Sequence, residues 1–164
     1  MHARLSYRNE GDGSLWLNNV IDVSEMNKAS IINPKHAAEW LAGRTFNRDV
    51  TIEILSRRQT LEGRSWELML TLGMISLLTG APLRDNVTGS GRIGQNGKVL
   101  EVSSLSEKTK AARIAGYTAF LVSQERTLED VSGIEVYGVE DIKQALKLAT
   151  GLDELEEILL RSIA

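Results

Sequence analysis

The sequence feature that most constrains this fold is an apolar segment from Trp66 to Leu78. Its apolar side chains lie at nearly every helical position, not along one stripe: Trp66, Leu68, Met69, Leu70, Leu72, Met74, Ile75, Leu77 and Leu78. A helix that is apolar all round must be covered by other elements on most sides. Gly80 and Pro82 end the segment. We therefore predict a buried central helix.

Short strands and helices of mixed order surround this helix, which favours an α+β fold of small mixed sheets packed around it. Before the central helix, the pattern predicts a hairpin from about Ala3 to Asp22, a helix from Asn33-Pro34 to Gly43 and a strand at Val50–Leu55. After it, the pattern predicts a hairpin from Asn86 to Val102 around Gly94–Gly97 and a helix that runs from a Ser104/Glu107 capping box to Gly116. Strands at 118–122 and 134–139 and a helix at 139–149 follow. No repeat or low-complexity linker divides the 164 residues, so we predict one domain over 1–164, with residues 152–164 forming an additional C-terminal helix.

Composition removes several classes of site. The chain has no cysteine, so disulfides, thiolate zinc sites and cysteine nucleophiles are excluded. Its two histidines, His2 and His36, lack partners at metal-ligand spacing, so we expect neither a metal nor another cofactor. Gly94–Val99 resembles a phosphate-binding loop only superficially, because its glycine spacing is wrong and it lacks the Ser/Thr that would hold magnesium.

Charge and hydropathy bound the partners. The net charge of −3 argues against binding to nucleic acid, and Arg57, Arg58 and Arg64 fit a solvated surface loop. The first residues have no apolar signal core, and no segment approaches the roughly 18 apolar residues of a membrane span. We therefore expect a cytoplasmic protein that does not contact membranes.

Ser65 and Lys108 each lie near the start of a predicted helix and admit two interpretations. Ser65 is either a helix N-cap or a nucleophile whose oxyanion would be held by helix-end N–H groups. Lys108 lies in a first turn, close to Leu105 and Ala112 on the predicted buried stripe. The helix dipole and desolvation both favour its neutral form, which can accept a serine proton. Alternatively, its aliphatic chain simply extends along the edge of the core.

Four sequence motifs in order decide between these interpretations. They are Glu62-Gly-Arg-Ser65-Trp-Glu67, Leu78-Thr-Gly-Ala-Pro82, Ser90-Gly-Arg-Ile93, and Glu107-Lys108 followed by Ala111-Ala112 and Ala115-Gly116. In these motifs the chain resembles the proteolytic domain of Lon proteases, which carry a Ser–Lys dyad. The resemblance is closest from about Asp49 to Lys108, continues more loosely through Ala149, and does not include the final helix.

The resemblance implies roles for individual residues. Ser65 would be the nucleophile, and its backbone N–H would be part of the oxyanion hole. Lys108 would be the general base, and Ser90 stands where the family has a threonine that orients the lysine. Glu62 stands at the position of a family acidic residue beside the site, and we expect it to point away from Lys108 in an active state. Gly63 is the glycine of the same motif.

The chain also departs from the family pattern. Arg64, Trp66 and Glu67 replace a proline and small residues around the serine. Trp66 would narrow the cleft or change substrate choice, or the site would have lost its activity and kept its fold. Ser103-Ser104 replaces Gly-Gly, which suggests a different backbone path before the lysine.

The resemblance therefore implies a stand-alone serine endopeptidase that cleaves peptides or unfolded polypeptides without ATP, most active at mildly alkaline pH. We expect a homo-oligomer, since the family forms rings, and any unfolding ATPase would be a separate chain. The alternative is a catalytically inactive Lon-like module for oligomerisation or binding, supported by Trp66, Glu67 and the additional C-terminal helix.

Overall fold

The computed structural model describes residues 3–18, 25–55, 63–125 and 130–160. Within these ranges the strands are β1 (Ala3–Tyr7), β2 (Leu15–Asn18), β3 (Val50–Ile54), β4 (Val87–Gly89), β5 (Arg92–Ile93), β6 (Val99–Leu100), β7 (Ala119–Ser123) and β8 (Glu135–Val139). The helices are α1 (Glu25–Ala42), α2 (Glu67–Thr79), α3 (Leu105–Ile114), α4 (Ile142–Thr150) and α5 (Leu155–Leu160), and a 3₁₀ turn at Gln95–Gly97 joins β5 to β6. Small sheets and helices alternate along the chain, which confirms the predicted α+β class.

The helix α2 is the central element, as its sequence predicted. It contacts α1, α4 and α5 together with strands of all three sheets. Leu68, Leu72 and Ile75 are fully buried, and burial of each contributes about 1.5–3 kcal/mol. The helix ends at Gly80, whose φ of 72° is the left-handed conformation that glycine adopts without a steric penalty. The strands that lead to the Ser65 region, β4 and β5, contact this helix.

The predicted N-terminal hairpin is wrong. Its two arms form β1 and β2, but they lie on either side of β3, antiparallel and parallel to it, and do not pair with each other. Leu5 and Leu17 both stand opposite Ile52. The side chains of Val50, Ile52 and Ile54 are buried, so β3 satisfies its backbone and its packing best at the centre of the sheet. The predicted arm also included residues 19–22, which lie outside the described residues.

The predicted start of α1 at Asn33-Pro34 is also wrong, because the helix spans Glu25–Ala42 with Pro34 in its interior. A proline inside a helix removes one backbone hydrogen bond. The packing of Ile31, Ala38 and Leu41 into the main core along α2 offsets this cost.

The second sheet separates two packing layers. Its strands β4, β7 and β8 are parallel in the order β4-β7-β8. Leu121 of β7 faces the main core around α2, whereas Phe120 and Val122 face Leu105 and Ala112 of α3. The sheet therefore lies between the helix that follows the candidate serine and the helix that carries the candidate lysine.

The predicted hairpin around Gly94–Gly97 exists only in its inner part. Strands β5 and β6 pair antiparallel, while β4, predicted as part of the same arm, joins β7 instead. The chain therefore leaves one sheet and enters another within the segment Ser90–Gly91.

The last two helices complete the packing around the core. Helix α4 begins at Ile142, three residues after the predicted start at Val139. Ile158 of α5 is buried in the main core. No helix within the described ranges is long and apolar enough to cross a bilayer.

Candidate active site

Ser65 lies in a turn immediately before α2, but it does not cap the helix. The N-cap residue is Trp66, whose backbone is already helical and whose side chain makes no capping bond. Interpreting Ser65 as an N-cap is therefore wrong. Its carbonyl oxygen accepts the N–H of Gly91 at 3.0 Å and the hydroxyl of Ser90 at 3.1 Å. The turn is thus fastened to the segment between β4 and β5.

The reactive groups of Ser65 are not used for folding. Within residues 3–18, 25–55, 63–125 and 130–160, neither its Oγ nor its backbone N–H has a hydrogen-bond partner. The side chain is partly buried. A serine in a fixed turn with a free hydroxyl and a free N–H can act as a nucleophile and also as an oxyanion donor.

Ser90 is buried and touches Ser65. Its N–H donates to the carbonyl of Leu121 at 2.9 Å, which ties the residue to β7, and its Oγ donates to Ser65. The preceding residue must be glycine, because a Cβ at Gly89 would lie 2.6 Å from the Leu121 carbonyl oxygen. This placement brings Ser90 to the Ser65 turn, while its implied role towards Lys108 stays a prediction.

Lys108 lies in the first turn of α3, and its ammonium group donates to the carbonyl of Ser103 at 2.9 Å. The side chain is partly buried. Burial lowers the pKa of Lys108 below its ordinary value, and the neighbouring Glu107 carboxylate opposes this shift. The lysine is therefore easier to deprotonate than a lysine in water.

The predicted capping box at the start of α3 is wrong. Ser104 has φ 58° and ψ 37°, and its side chain makes no capping bond. An N-cap side chain reaches the helix N–H groups from an extended backbone, which this left-handed residue does not have. Glycine adopts the conformation of Ser104 without a penalty, whereas serine pays about 1 kcal/mol for it.

The structure brings Ser65 and Ser90 together but does not join Ser65 to Lys108. Among the described residues no hydrogen bond links Ser65 Oγ to Lys108 Nζ, and the lysine donates to the Ser103 carbonyl. Glu62, the predicted acidic neighbour, lies outside the described residues. Gly63 has φ 73° and accepts the indole N–H of Trp66 through its carbonyl at 3.1 Å.

The large residues around Ser65 fold into the protein. Trp66 is partly buried against the main core and bonded to Gly63. Glu67 is fully buried and forms an ion pair with Arg64. Sequence reasoning treated these residues as separate departures and missed the pair, although opposite charges three residues apart at a helix start are the available signal.

A cleft of about 460 Å³ opens beside this turn, between α1 and the β5–β6 hairpin. Arg64 and Trp40 line it together with Ile93, Leu100 and the residues Gly94–Gly97. The cleft combines apolar walls with a guanidinium group and is large enough for a side chain of a bound polypeptide. No group of three or more His, Asp or Glu side chains suited to a metal ion occurs in the part of the chain described.

Comparison with known proteins gives one consistent result. A family model of the Lon protease (S16) C-terminal proteolytic domain matches residues 10–163. The chain is 30% identical over 158 residues to a Lon protease of Chloroflexus aggregans, a match covering 92% of this chain and 19% of that protein. It is 26% identical over 148 residues to an archaeal Lon protease of Thermococcus kodakarensis, covering 86% and 23%. It is 33% identical over 109 residues to Lon protease 1 of Herpetosiphon aurantiacus, covering 62% and 13%. The chain thus spans less than a quarter of the length of each relative.

Proposed function

The chain belongs to the family of Lon protease (S16) C-terminal proteolytic domains, and on this premise we propose that it is a serine endopeptidase with Ser65 as nucleophile and Lys108 as general base. The observation that carries the proposal is the Ser65 turn. Its carbonyl is held by Ser90 and Gly91, while its Oγ and N–H lack partners among the described residues. A fixed serine with both groups available supplies two parts of what acyl transfer requires, the nucleophile and an oxyanion donor.

The proposed reaction proceeds through an ester. Ser65 Oγ attacks the scissile carbonyl as Lys108 Nζ takes its proton, and the backbone N–H of Ser65 stabilises the oxyanion. The lysine then protonates the leaving amine, so the C–N bond breaks and the acyl group stays on Oγ. Water, deprotonated by Lys108, hydrolyses the ester and restores the serine.

Lys108 must change partner for this reaction. Its Nζ bonds to the Ser103 carbonyl, and the proposed reaction requires its flexible side chain to leave this carbonyl and reach Ser65. Burial lowers its pKa, which reduces the cost of forming the neutral base. We expect a bound polypeptide to favour this rotation, because it would displace water and desolvate the ammonium further.

Substrate, assembly and location are part of the same proposal. We expect cleavage of peptides and unfolded polypeptides without ATP, with one substrate side chain in the cleft beside Arg64. We also expect a cytoplasmic homo-oligomer, with any unfolding ATPase supplied by a separate chain.

A second candidate function is an inactive Lon-like module for assembly or binding. Two observations favour it: the Lys108–Ser103 bond, and exposed apolar side chains at Ile32, Trp40, Ile114 and Leu160. A domain freed from catalysis would use such side chains to contact partners. It would have no need to keep both Ser65 and Lys108 in the register of the family motifs, which favours the first candidate.

The deciding experiment is hydrolysis of unfolded casein and a fluorogenic peptide library without ATP at mildly alkaline pH. We expect the wild type to cleave and Ser65→Ala and Lys108→Ala to lose at least about 1,000-fold in kcat/KM, since the dyad acts as a unit. Ser132→Ala and Lys110→Ala, both exposed, serve as matched controls and should retain activity. A folded wild type that cleaves nothing would overturn the proposal in favour of the assembly module, which size-exclusion chromatography would then test.

A further inference from the structure

The geometry of the turn that contains Ser65 points to a positioning role for two charged residues close to it in sequence, Arg64 and Glu67. We propose that Arg64 and the buried Glu67 form a clamp that fixes the direction of the Ser65 hydroxyl and N–H. The inference rests on the proposed function of Ser65. Neither clamp residue would touch the reacting atoms, since each acts through the backbone that it holds.

The carboxylate of Glu67 is the centre of the clamp. It is fully buried at the first position of α2. Oε1 accepts Nε–H of Arg64 at 2.5 Å, and Oε2 accepts both Nη2–H of Arg64 at 3.0 Å and the N–H of Ile93 at 2.9 Å. Both oxygens are therefore engaged, and Glu67 holds the pKa of the Arg64 guanidinium above its ordinary value.

The clamp joins the two sides of Ser65 to one segment of the chain. Arg64 precedes the serine, Glu67 follows it by two residues, and both bond to Ile93, with Arg64 Nη2 donating to the Ile93 carbonyl at 3.4 Å. The N–H of Leu68 donates to the Gly91 carbonyl at 3.1 Å, and the N–H of Gly91 donates to Ser65. The turn cannot shift along the Ser90–Ile93 segment without breaking charged hydrogen bonds in a buried place.

Stability alone does not explain an ion pair at this site. The cost of desolvating two charges is often as large as their attraction, so apolar residues of similar volume stabilise a fold equally well. Apolar contacts, however, lack direction and tolerate sliding. Directional bonds from Arg64 and Glu67 to the backbone of Ile93 hold a turn to a fraction of an ångström, which is the tolerance that acyl transfer requires.

The test replaces the pair by apolar residues and compares it with a matched pair elsewhere. Arg64→Met/Glu67→Leu removes the clamp. The control is Lys35→Met/Glu39→Leu, because Lys35 and Glu39 also form a partly buried ion pair at 2.9 Å, and Glu39 accepts a loop N–H, that of Phe46, at 3.0 Å. The readouts are Tm, kcat and KM on a fluorogenic peptide, and amide hydrogen exchange at Leu68 and Gly91.

We expect the clamp variant to fold, to lose about 100-fold in kcat in addition to any rise in KM from the loss of Arg64 at the cleft, and to exchange Leu68 and Gly91 faster. The control pair should leave kcat and both exchange rates unchanged. A clamp variant with wild-type kcat, or with unchanged exchange at Leu68 and Gly91, would overturn the inference. If the double variant does not fold, Arg64→Lys replaces it in the same measurements with the same expected results. Lysine keeps the positive charge but cannot donate two parallel hydrogen bonds to the Glu67 carboxylate.

The exchange measurement separates this inference from the proposed function. A wild type that cleaves no peptide would remove the catalytic proposal, and exchange at Leu68 and Gly91 would still decide whether the pair holds the turn. Conversely, an active wild type with an equally active clamp variant would leave the Ser65–Lys108 proposal standing and remove the clamp.

Discussion

The hydroxyl of Ser90 donates to the carbonyl oxygen of Ser65 at 3.1 Å and joins two motifs that are 25 residues apart in the sequence. Ser90 is itself tied to β7 through Leu121. The position of the candidate nucleophile therefore depends on how β4 sits in the second sheet. A substitution that moves β4 should therefore displace Ser65, even when the substituted residue does not contact a substrate.

The first prediction concerns this contact. We expect Ser90→Ala to lower kcat/KM by about 10-fold and the free energy of unfolding by about 1 kcal/mol, since one buried hydrogen bond to the turn is lost. Parallel peptide hydrolysis and urea unfolding measure both effects. Ser123→Ala is the control, because Ser123 is equally buried and accepts the N–H of Glu125 away from the turn. Equal losses of activity in the two variants would contradict a specific role for Ser90.

The second prediction concerns pH. Because burial lowers the pKa of Lys108, the neutral base should accumulate, and kcat/KM should rise, at lower pH than for an ordinary lysine. The Glu107 carboxylate stabilises the ammonium and raises the pKa of Lys108, so Glu107→Gln should move the rise to lower pH.

The measurement is a pH profile of kcat/KM from pH 6 to 10 for wild type and Glu107→Gln. Glu156→Gln, an exposed carboxylate on α5, is the control and should not shift the profile. A profile that is flat over this range, or one that moves to higher pH in Glu107→Gln, would rule out Lys108 as the base.

The sequence predicts an element correctly where the interactions that form the element involve neighbouring residues, and less well where they involve distant ones. The helix α2 and the strand β3 were predicted well, because burial on all sides and strict alternation are written in consecutive residues. The interior Pro34 was mistaken for a helix start, because the packing that compensates for it comes from α2, more than thirty residues further on.

Pairing and side-chain direction could not be predicted for a different reason. Strands β1 and β2 both pair with β3, the most buried strand of their sheet, and not with each other. A local sequence pattern does not show which strands will pair. Likewise, the sequence placed Lys108 in the first turn of α3, but its bond to Ser103 depends on the left-handed backbone at Ser104. Because serine rarely adopts positive φ, the sequence does not show that Ser104 has the left-handed conformation.

The third prediction tests that backbone. Ser104→Gly should raise the free energy of unfolding by about 0.5–1 kcal/mol, because glycine adopts a φ of 58° without the penalty that serine pays. Ser103→Gly, next to it and not at positive φ, should lower that free energy by about 0.5 kcal/mol through the greater freedom of the unfolded chain. Urea unfolding of both variants measures the difference, and a loss of stability in Ser104→Gly would show that Ser104 is not strained.

The fourth prediction concerns the approach of β4 to β7. A Cβ at Gly89 would lie 2.6 Å from the Leu121 carbonyl oxygen and 2.9 Å from its Cβ. Gly89→Ala must therefore push the strands apart, and we expect it to cost at least about 2 kcal/mol of stability and to reduce kcat/KM by displacing Ser90.

Gly73→Ala provides the contrast for Gly89→Ala. Among the described residues, a Cβ at Gly73 would meet only the Leu5 side chain, at 3.5 Å. An alanine inside α2 should stabilise the protein by about 0.5–1 kcal/mol with activity unchanged. Thermal unfolding and peptide hydrolysis on the two variants separate the effects of volume and position. Because Ser90 follows Gly89 directly and bonds to Ser65, loss of activity only in Gly89→Ala would link strand spacing to the nucleophile. Full activity in a destabilised Gly89→Ala would show that the Ser65 turn keeps its place without the β4–β7 contact.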